Sequence, residues 1–177
     1  MKNFAVAECK KFLENPNDYL IMDAEMTGVG RDDEIIEMSL VNMDGEEVYH
    51  GMYYPEAPIS GEAYYIHKIS EEDLFDCPRF SEAWPEIFEV LNGKTLLIYN
   101  ANSDIKMMHQ TLKKQKVKSP MIKNQCVQTL YEKYRGLRRS VKLEAACEQM
   151  GLIYEQSHRA TGDCIMTLEL IKAMSKE

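Results

Sequence analysis

The sequence predicts a mixed α/β fold, one sheet with helices packed against it. Strand-like runs cluster in the first third of the chain, and a hairpin signal joins two of them. Helical and strand-like segments then alternate before the chain closes on helices. A length of 177 residues suits one domain with a sizeable core and is too short for two comfortable ones. There is no repeat, low-complexity tract or Pro/Gly/Ser linker, so residues 1–177 are expected to form a single domain.

Phe4 to Leu13 reads as a short amphipathic helix ended by "ENPND". Tyr19 to Asp23 is a strand. "EIIEMSLVNMDGEEVYHGMYY" gives two more, joined tightly at Asp44-Gly45, so the first three strands form an antiparallel meander. "ISGEAYYIHKISEEDL" is a loop with short helical pieces, and Ser70 with Asp73 makes an N-cap signature. Ser81 to Leu91 is a helix with Pro85 near its first turn, where proline is tolerated. Thr95 to Tyr99, "TLLIY", is a buried strand, expected to run parallel to the first through the helical crossover. "NANSD" opens a helix with Ile105, Met108 and Leu112 on one face and Lys106 and Lys113 on the other. "NQCVQTLYEKY" is a weaker strand-to-helix unit. Ser140 is expected to cap a helix bearing Leu143, Ala146, Cys147 and Met150, stopped by Gly151. The last helix, from about Thr161, carries Cys164, Leu168 and Ile171 on one face.

Composition excludes several classes. No apolar run approaches the roughly 20 residues of a membrane span, and the charged N-terminus lacks the apolar stretch of a signal peptide. Five scattered cysteines without C-x-x-C spacing argue against a zinc knuckle or a disulfide framework. A reduced, cytoplasmic protein with no membrane partner is expected. The net charge of -8 conceals an asymmetry. From Lys106 to Lys142 eleven Lys/Arg face a single acid, Glu132, so that segment is +10 and the remainder -18. A basic face on an acidic body suits a polyanion, although charge runs are usually just solvated surface.

The acids carry the chemistry. Asp23 and Glu25 end the first strand and, two residues apart, point to the same side. Two carboxylates that close repel unless one is protonated or a cation lies between them. Thr27-Gly28 behind them lets the chain turn sharply and exposes backbone N–H groups. With acids at 29 of 177 positions, about five such pairs arise by chance, so the pair alone reads as a charged strand end. Asp104 lies in the first turn of a helix after the second strongly apolar strand, and Asp163 at the start of the last helix. His158 precedes Asp163 by five residues, a spacing that puts it in the preceding loop. His50, His67 and His109 read as ordinary surface histidines. Four carboxylates at element ends with one histidine match the needs of phosphodiester hydrolysis. Hard oxygen donors hold Mg²⁺ or Mn²⁺, two such ions activate a water and stabilise the leaving oxygen, and a histidine takes the proton.

"DAEMTG", "YNANSD" and "HRATGD" resemble, in order and spacing, the three motifs of the DEDD superfamily of 3′→5′ exonucleases, in the histidine branch that includes the proofreading epsilon subunit of bacterial DNA polymerase III. "EIIEMSLV" and "YYIHKISEEDL" resemble segments between those motifs, so the likeness runs from about Tyr19 to Leu170. The resemblance implies an RNase H-like fold, a five-stranded mixed sheet in the order 3-2-1-4-5 flanked by helices. It also implies roles. Asp23 bridges two metal ions, Glu25 and Asp163 complete the first ion's shell, Asp104 serves the second, and His158 is the general base. Arg159 stands where the tyrosine branch has its tyrosine. Met26, Thr27 and His67 match positions around the terminal nucleotide, and Asn100 a near-site asparagine. Met26 replaces a usual threonine, Tyr99 a common histidine and Ser103 an aromatic residue, departures that bear on substrate more than on chemistry.

The expected activity is therefore metal-dependent 3′→5′ exonucleolysis at a free 3′ end, single-stranded DNA foremost, with two Mg²⁺ or Mn²⁺ ions as cofactors and release of nucleoside 5′-monophosphates. An exoribonuclease or oligoribonuclease-like enzyme, and a non-catalytic single-strand-binding subunit, are the alternatives. Because the chain ends just after its last helix, a free-standing enzyme is expected, with association with a DNA polymerase or as a homo-oligomer as alternatives.

Overall fold

A computed structural model describes residues 1–153 and 158–176. Its sheet has five strands: β1 (Tyr19–Met26), β2 (Ile35–Val41), β3 (Glu47–Met52), β4 (Thr95–Ile98) and β5 (Asn124–Cys126). Their order is β3-β2-β1-β4-β5, with β1–β2 and β2–β3 antiparallel and β1–β4 and β4–β5 parallel. The helices are α1 (Lys2–Glu14), α2 (Gly61–His67), α3 (Glu71–Leu74), α4 (Phe80–Leu91), α5 (Ala101–Lys114), α6 (Val127–Arg135), α7 (Leu143–Gln149) and α8 (Ala160–Ser175).

Alternation along β1 sorts the core into two layers. Tyr19 and Ile21 join a cluster with α1, α6, α7 and α8, while Leu20, Met22 and Ala24 join α4 and α5 on the opposite face. β1 and β4 therefore run with apolar neighbours on both faces, and their C-terminal ends open at the edge where α/β sheets place ligands.

Several elements differ from expectation for local reasons. The β2–β3 connection spans 42–46 rather than a two-residue turn. The Asn42 carboxamide oxygen accepts from the N–H groups of Asp44 and Glu46, and Gly45 takes φ +92°. Pro85 is the sixth residue of α4, past the first turn, so the carbonyl of Ser81 lacks its intrahelical donor. Ser140 does not cap α7. Lys142 occupies that position without a side-chain cap bond. α8 buries Met166, Thr167, Leu170 and Met174 as well as its expected face, because it lies sandwiched between the sheet and α1, α6 and α7. The Ser70–Asp73 capping box forms as read.

Glu34, at the entry to β2, is fully buried. It accepts from Lys114 Nζ at 2.9 Å, Gln115 Nε2 at 2.9 Å and the backbone N–H groups of Glu56 (2.7 Å) and Ala57 (2.9 Å). Burial raises its pKa, but these hydrogen bonds outweigh burial and hold it below the ordinary glutamate value. One carboxylate thus ties β2, the end of α5 and the chain leading to α2. Glu34→Ala is expected to cost about 3–5 kcal/mol, as for breaking other buried charge pairs, read as a fall in urea midpoint at constant slope.

Candidate active site

Asp23 and Glu25 continue the row begun by Tyr19 and Ile21, on the sheet face that α8 covers. Across the ladder they sit opposite Ser39 and Glu37. The thiol of Cys164 packs onto the carbonyls of Ile21 (3.7 Å) and Ser39 (3.6 Å), so the first turn of α8 lies hard against β1 and β2. That approach carries Asp163 over the strand acids. One oxygen from each of Asp23, Glu25 and Asp163 lies within 4.8 Å of the other two. Asp104, nearly fully buried in the first turn of α5, lines the same cleft but stands outside that 4.8 Å group. The cleft has a volume of about 550 Å³ and also takes in Met26, His67, Asn100 and His158.

The acids cannot all ionise comfortably. Burial is the largest upward push on each, and mutual repulsion adds to it. Asp23 stands well above the usual aspartate range, with Asp104, Asp163, Glu25 and Glu37 all raising it further. Glu25 rises to about 8, although Arg159 pulls it down. Asp104 rises to about 7 against hydrogen bonds from its own backbone and that of Ala24. Asp163 rises to about 6, with Glu144 adding to its burial and His158 opposing. An all-oxygen, anionic, partly dehydrated set of this kind fits a hard divalent cation, which would relieve the repulsion.

Glu37 behaves in the opposite way although it is buried. The Arg159 guanidinium grips it, Nε lying 3.0 Å from each carboxylate oxygen and Nη2 2.5 Å from one. The N–H of Ala160 donates to it at 3.2 Å, and His50 Nε2 lies 2.9 Å away. These partners overcome burial and hold its pKa below the ordinary value. The pair fixes the start of α8 on β2, and with it the preceding residue, His158. That histidine takes φ +41°, a left-handed conformation unusual for a residue with a side chain, and its Nδ1 lies 3.8 Å from Glu144 Oε1.

The segment after β1 is braced by Asp33, whose carboxylate accepts from Thr27 Oγ1 (2.8 Å) and the N–H of Gly30 (2.6 Å). Gly28 is required by this close approach and not by a sharp turn. Its φ is not positive, but a Cβ there would meet Asp33 Oδ2 at 2.7 Å. Thr27 is fully buried, accepts from the N–H of Glu34 at 3.0 Å and is not among the residues lining the cleft. His67 is buried rather than on the surface. Its Nδ1 accepts from the N–H of Ile69 at 3.0 Å, which puts the proton on Nε2. Nε2 is buried with no partner among the described residues, and burial holds the ring below the usual histidine range. Sequence reasoning did not single out Glu144, Asp33, Ser60 or Ile66, all of which line the cleft. Glu144 looks in the sequence like any first-turn helix acid, and only the fold shows what lies opposite it.

A five-stranded sheet in this order, with acids converging from β1, α5 and α8, defines an RNase H-like nuclease fold. Residues 20–171 match the model of the RNase_T exonuclease family, and the chain belongs to that family. Its motifs are those of the histidine branch, DEDDh. Uncharacterized exonuclease CP81 of Escherichia phage 186 is 30% identical over 180 residues, covering 94% of this chain and 92% of the phage protein. The DNA polymerase III epsilon subunit of Haemophilus influenzae is 28% identical over 171 residues, 89% of this chain and 65% of its own length. Among solved structures, exonuclease X in complex with 5′ overhanging duplex DNA superposes with TM-score 0.69 at 22% identity over 90% of this chain and 92% of that one. The nuclease domain of 3′hExo, a DEDDh family member bound to rAMP, gives 0.68 at 17% identity, covering 86% of this chain and 89% of that one. Among the described residues no helix is long and apolar enough to cross a membrane.

The raised carboxyls set a pH dependence. The folded chain holds these protons more tightly than the unfolded one, whose acids titrate near 3.8 and 4.5. Between about pH 4 and pH 8 the folded state therefore binds more protons, and stability falls as the pH rises across that window. Melting temperature of the metal-free protein should decline through this range. A rise would contradict the upward shifts. Glu34 and Glu37 act oppositely, and their contribution is lost only when the pH falls below about 4.5.

Proposed function

We propose that the chain removes nucleoside 5′-monophosphates from the 3′ end of a nucleic-acid strand, single-stranded DNA foremost, using two Mg²⁺ or Mn²⁺ ions. The observation that carries this reading is the meeting of Asp23, Glu25 and Asp163 within 4.8 Å in a cleft that also holds Asp104 and His158.

Asp23, Glu25 and Asp163 would hold one ion, and Asp104 would serve the other. When bound, such ions would supply Lewis acidity toward the phosphate oxygens and ease deprotonation of the attacking water. His158 takes that water's proton. With Nδ1 turned toward Glu144, Nε2 is the nitrogen left to receive it. His67 lines the cleft wall, and its Nε2–H, which makes no hydrogen bond of regular geometry among the described residues, suits an acceptor oxygen of the terminal nucleotide. Met26 and Asn100 line the same space and Thr27 supports it from below. The epsilon relatives favour DNA. A second reading, RNA, is favoured by RNA exonuclease 4 of Cryptococcus neoformans, 27% identical over 112 residues, 62% of this chain and 27% of that protein. Assembly with a polymerase rests only on the epsilon likeness.

Matched 3′-labelled DNA and RNA, single- and double-stranded, with Mg²⁺, Mn²⁺ or chelator, test the reading. Mononucleotide release should require the divalent ion, and Asp23→Ala should abolish it. Undiminished release by that variant would refute the assignment. His158→Ala should lower kcat by roughly 10²–10⁴-fold, and an unchanged rate removes it from the mechanism. Mg²⁺ or Mn²⁺ should raise the melting temperature more at pH 8 than at pH 5, because the ion competes with protons for the same carboxylates.

A further inference from the structure

The fold splits the basic run from Lys106 to Lys142 into two groups. α5 begins at the cleft and runs about 21 Å away from it over fourteen residues. Lys113 therefore lies toward the far end of α5, and Lys116 and Lys118 beyond it. Lys114 is spent on Glu34, and Lys133 Nζ lies 5.1 Å from the centroid of the Phe4 ring, on the α1 side. Lys123 sits at the N-terminal side of the β4–β5 ladder, its carbonyl accepting from Leu96.

The loop 136–142 is different. From the end of α6 it runs back toward the end of β4, where the Val141 carbonyl accepts from Tyr99 Oη at 2.8 Å and Gln128 Nε2 at 3.0 Å. Tyr99 immediately precedes Asn100, which lines the cleft, and Lys142 lies two residues before Glu144, which also lines it. Arg139 and Arg138 are two and three residues from the pinned Val141, within about 7 and 11 Å along the chain. Arg138, Arg139 and Lys142 are exposed and have no ion-pair partner among the described residues. Three cations without counter-ions, held beside a cleft floored by acids on a chain of net charge -8, call for an anionic occupant that runs out of the cleft.

We propose that Arg138, Arg139 and Lys142 bind backbone phosphates of the strand whose 3′ end occupies the cleft, upstream of the terminal nucleotide, and that Tyr99 is the positioning residue that keeps their loop at the cleft mouth. This rests on the nuclease reading of the cleft. Tyr99 stands where the family commonly has a histidine, and its hydroxyl gives the departure a use.

The test is binding of a labelled single strand of about 16 nucleotides by the full chain, with chelator to stop cleavage, from about 50 to about 200 mM salt. Three neutralised phosphates contribute a slope of about 2 in log affinity against log salt. The variant Arg138→Ala/Arg139→Ala/Lys142→Ala should bind at least about 20-fold more weakly at low salt. Its disadvantage should shrink by roughly 20-fold across the range. Lysine at the two arginine positions should restore most of the slope. Tyr99→Phe should weaken binding of the strand more than cleavage of a dinucleotide, which is too short to reach the loop. Lys116→Ala/Lys118→Ala/Lys123→Ala should leave the slope unchanged. A wild-type slope in the first variant, or an equal loss in the last, overturns the proposal. The two readings fail separately. Strand binding that depends on this loop without any cleavage by the wild type sinks the nuclease assignment alone, and cleavage with an unaltered slope sinks the loop assignment alone.

Discussion

Glu37 lies buried in the middle of the sheet, directly across the ladder from Glu25, and the guanidinium of Arg159 is what makes two adjacent carboxylates tolerable there. A buried charge without partners is expensive, and removing one member of such a pair strands the other. The requirement joins residues 122 positions apart in the chain. It fixes where α8 begins, lays Cys164 against β1 and β2, and so sets Asp163 over Asp23 and Glu25. The same local field treats the two acids oppositely. Glu37, with a guanidinium, a histidine and a backbone N–H, is held ionised, while Glu25, facing other acids, is pushed to about 8. One half of the site is already neutralised by protein, and the other half is left short of positive charge.

Much of the architecture was legible because its signals are local. The hairpin around Asp44-Gly45, the apolar "TLLIY" strand and the Ser70 cap each depend on neighbours within a few positions, and each forms there, the hairpin with a longer loop than the turn signal implied. The four acids were legible as a set through their motif contexts, and the fold brings three into mutual reach with the fourth in the same cleft. What the sequence hid depends on tertiary geometry. Burial of α8 on nearly every side follows from its second helical layer, which a periodicity along one helix does not report. Ser140 looked like a cap, but the Tyr99 and Gln128 bonds to Val141 set where that loop ends, and the helix starts later. The Glu37–Arg159 pair has no sequence signature, since neither residue is near the other until α8 folds onto the sheet.

Charge makes the same point on a larger scale. A run of eleven basic residues reads as one feature, yet the fold assigns its members to unlike tasks. Lys114 neutralises a buried glutamate, Lys133 covers an aromatic ring, and Arg138, Arg139 and Lys142 have no ion-pair partner among the described residues. Proximity along the chain fixed their sign but not their surroundings. Counting charge by segment therefore overstated the extent of the basic face.

The backbone at His158 carries a further implication. A φ of +41° on a residue with a β-carbon costs of order 1–3 kcal/mol relative to a relaxed conformation, and glycine would occupy it freely. A sequence selected for thermal endurance alone would discard the imidazole at this position. A directed search for hardier variants would converge on glycine at this position, and under the proposed mechanism that gain in robustness would come at the expense of turnover.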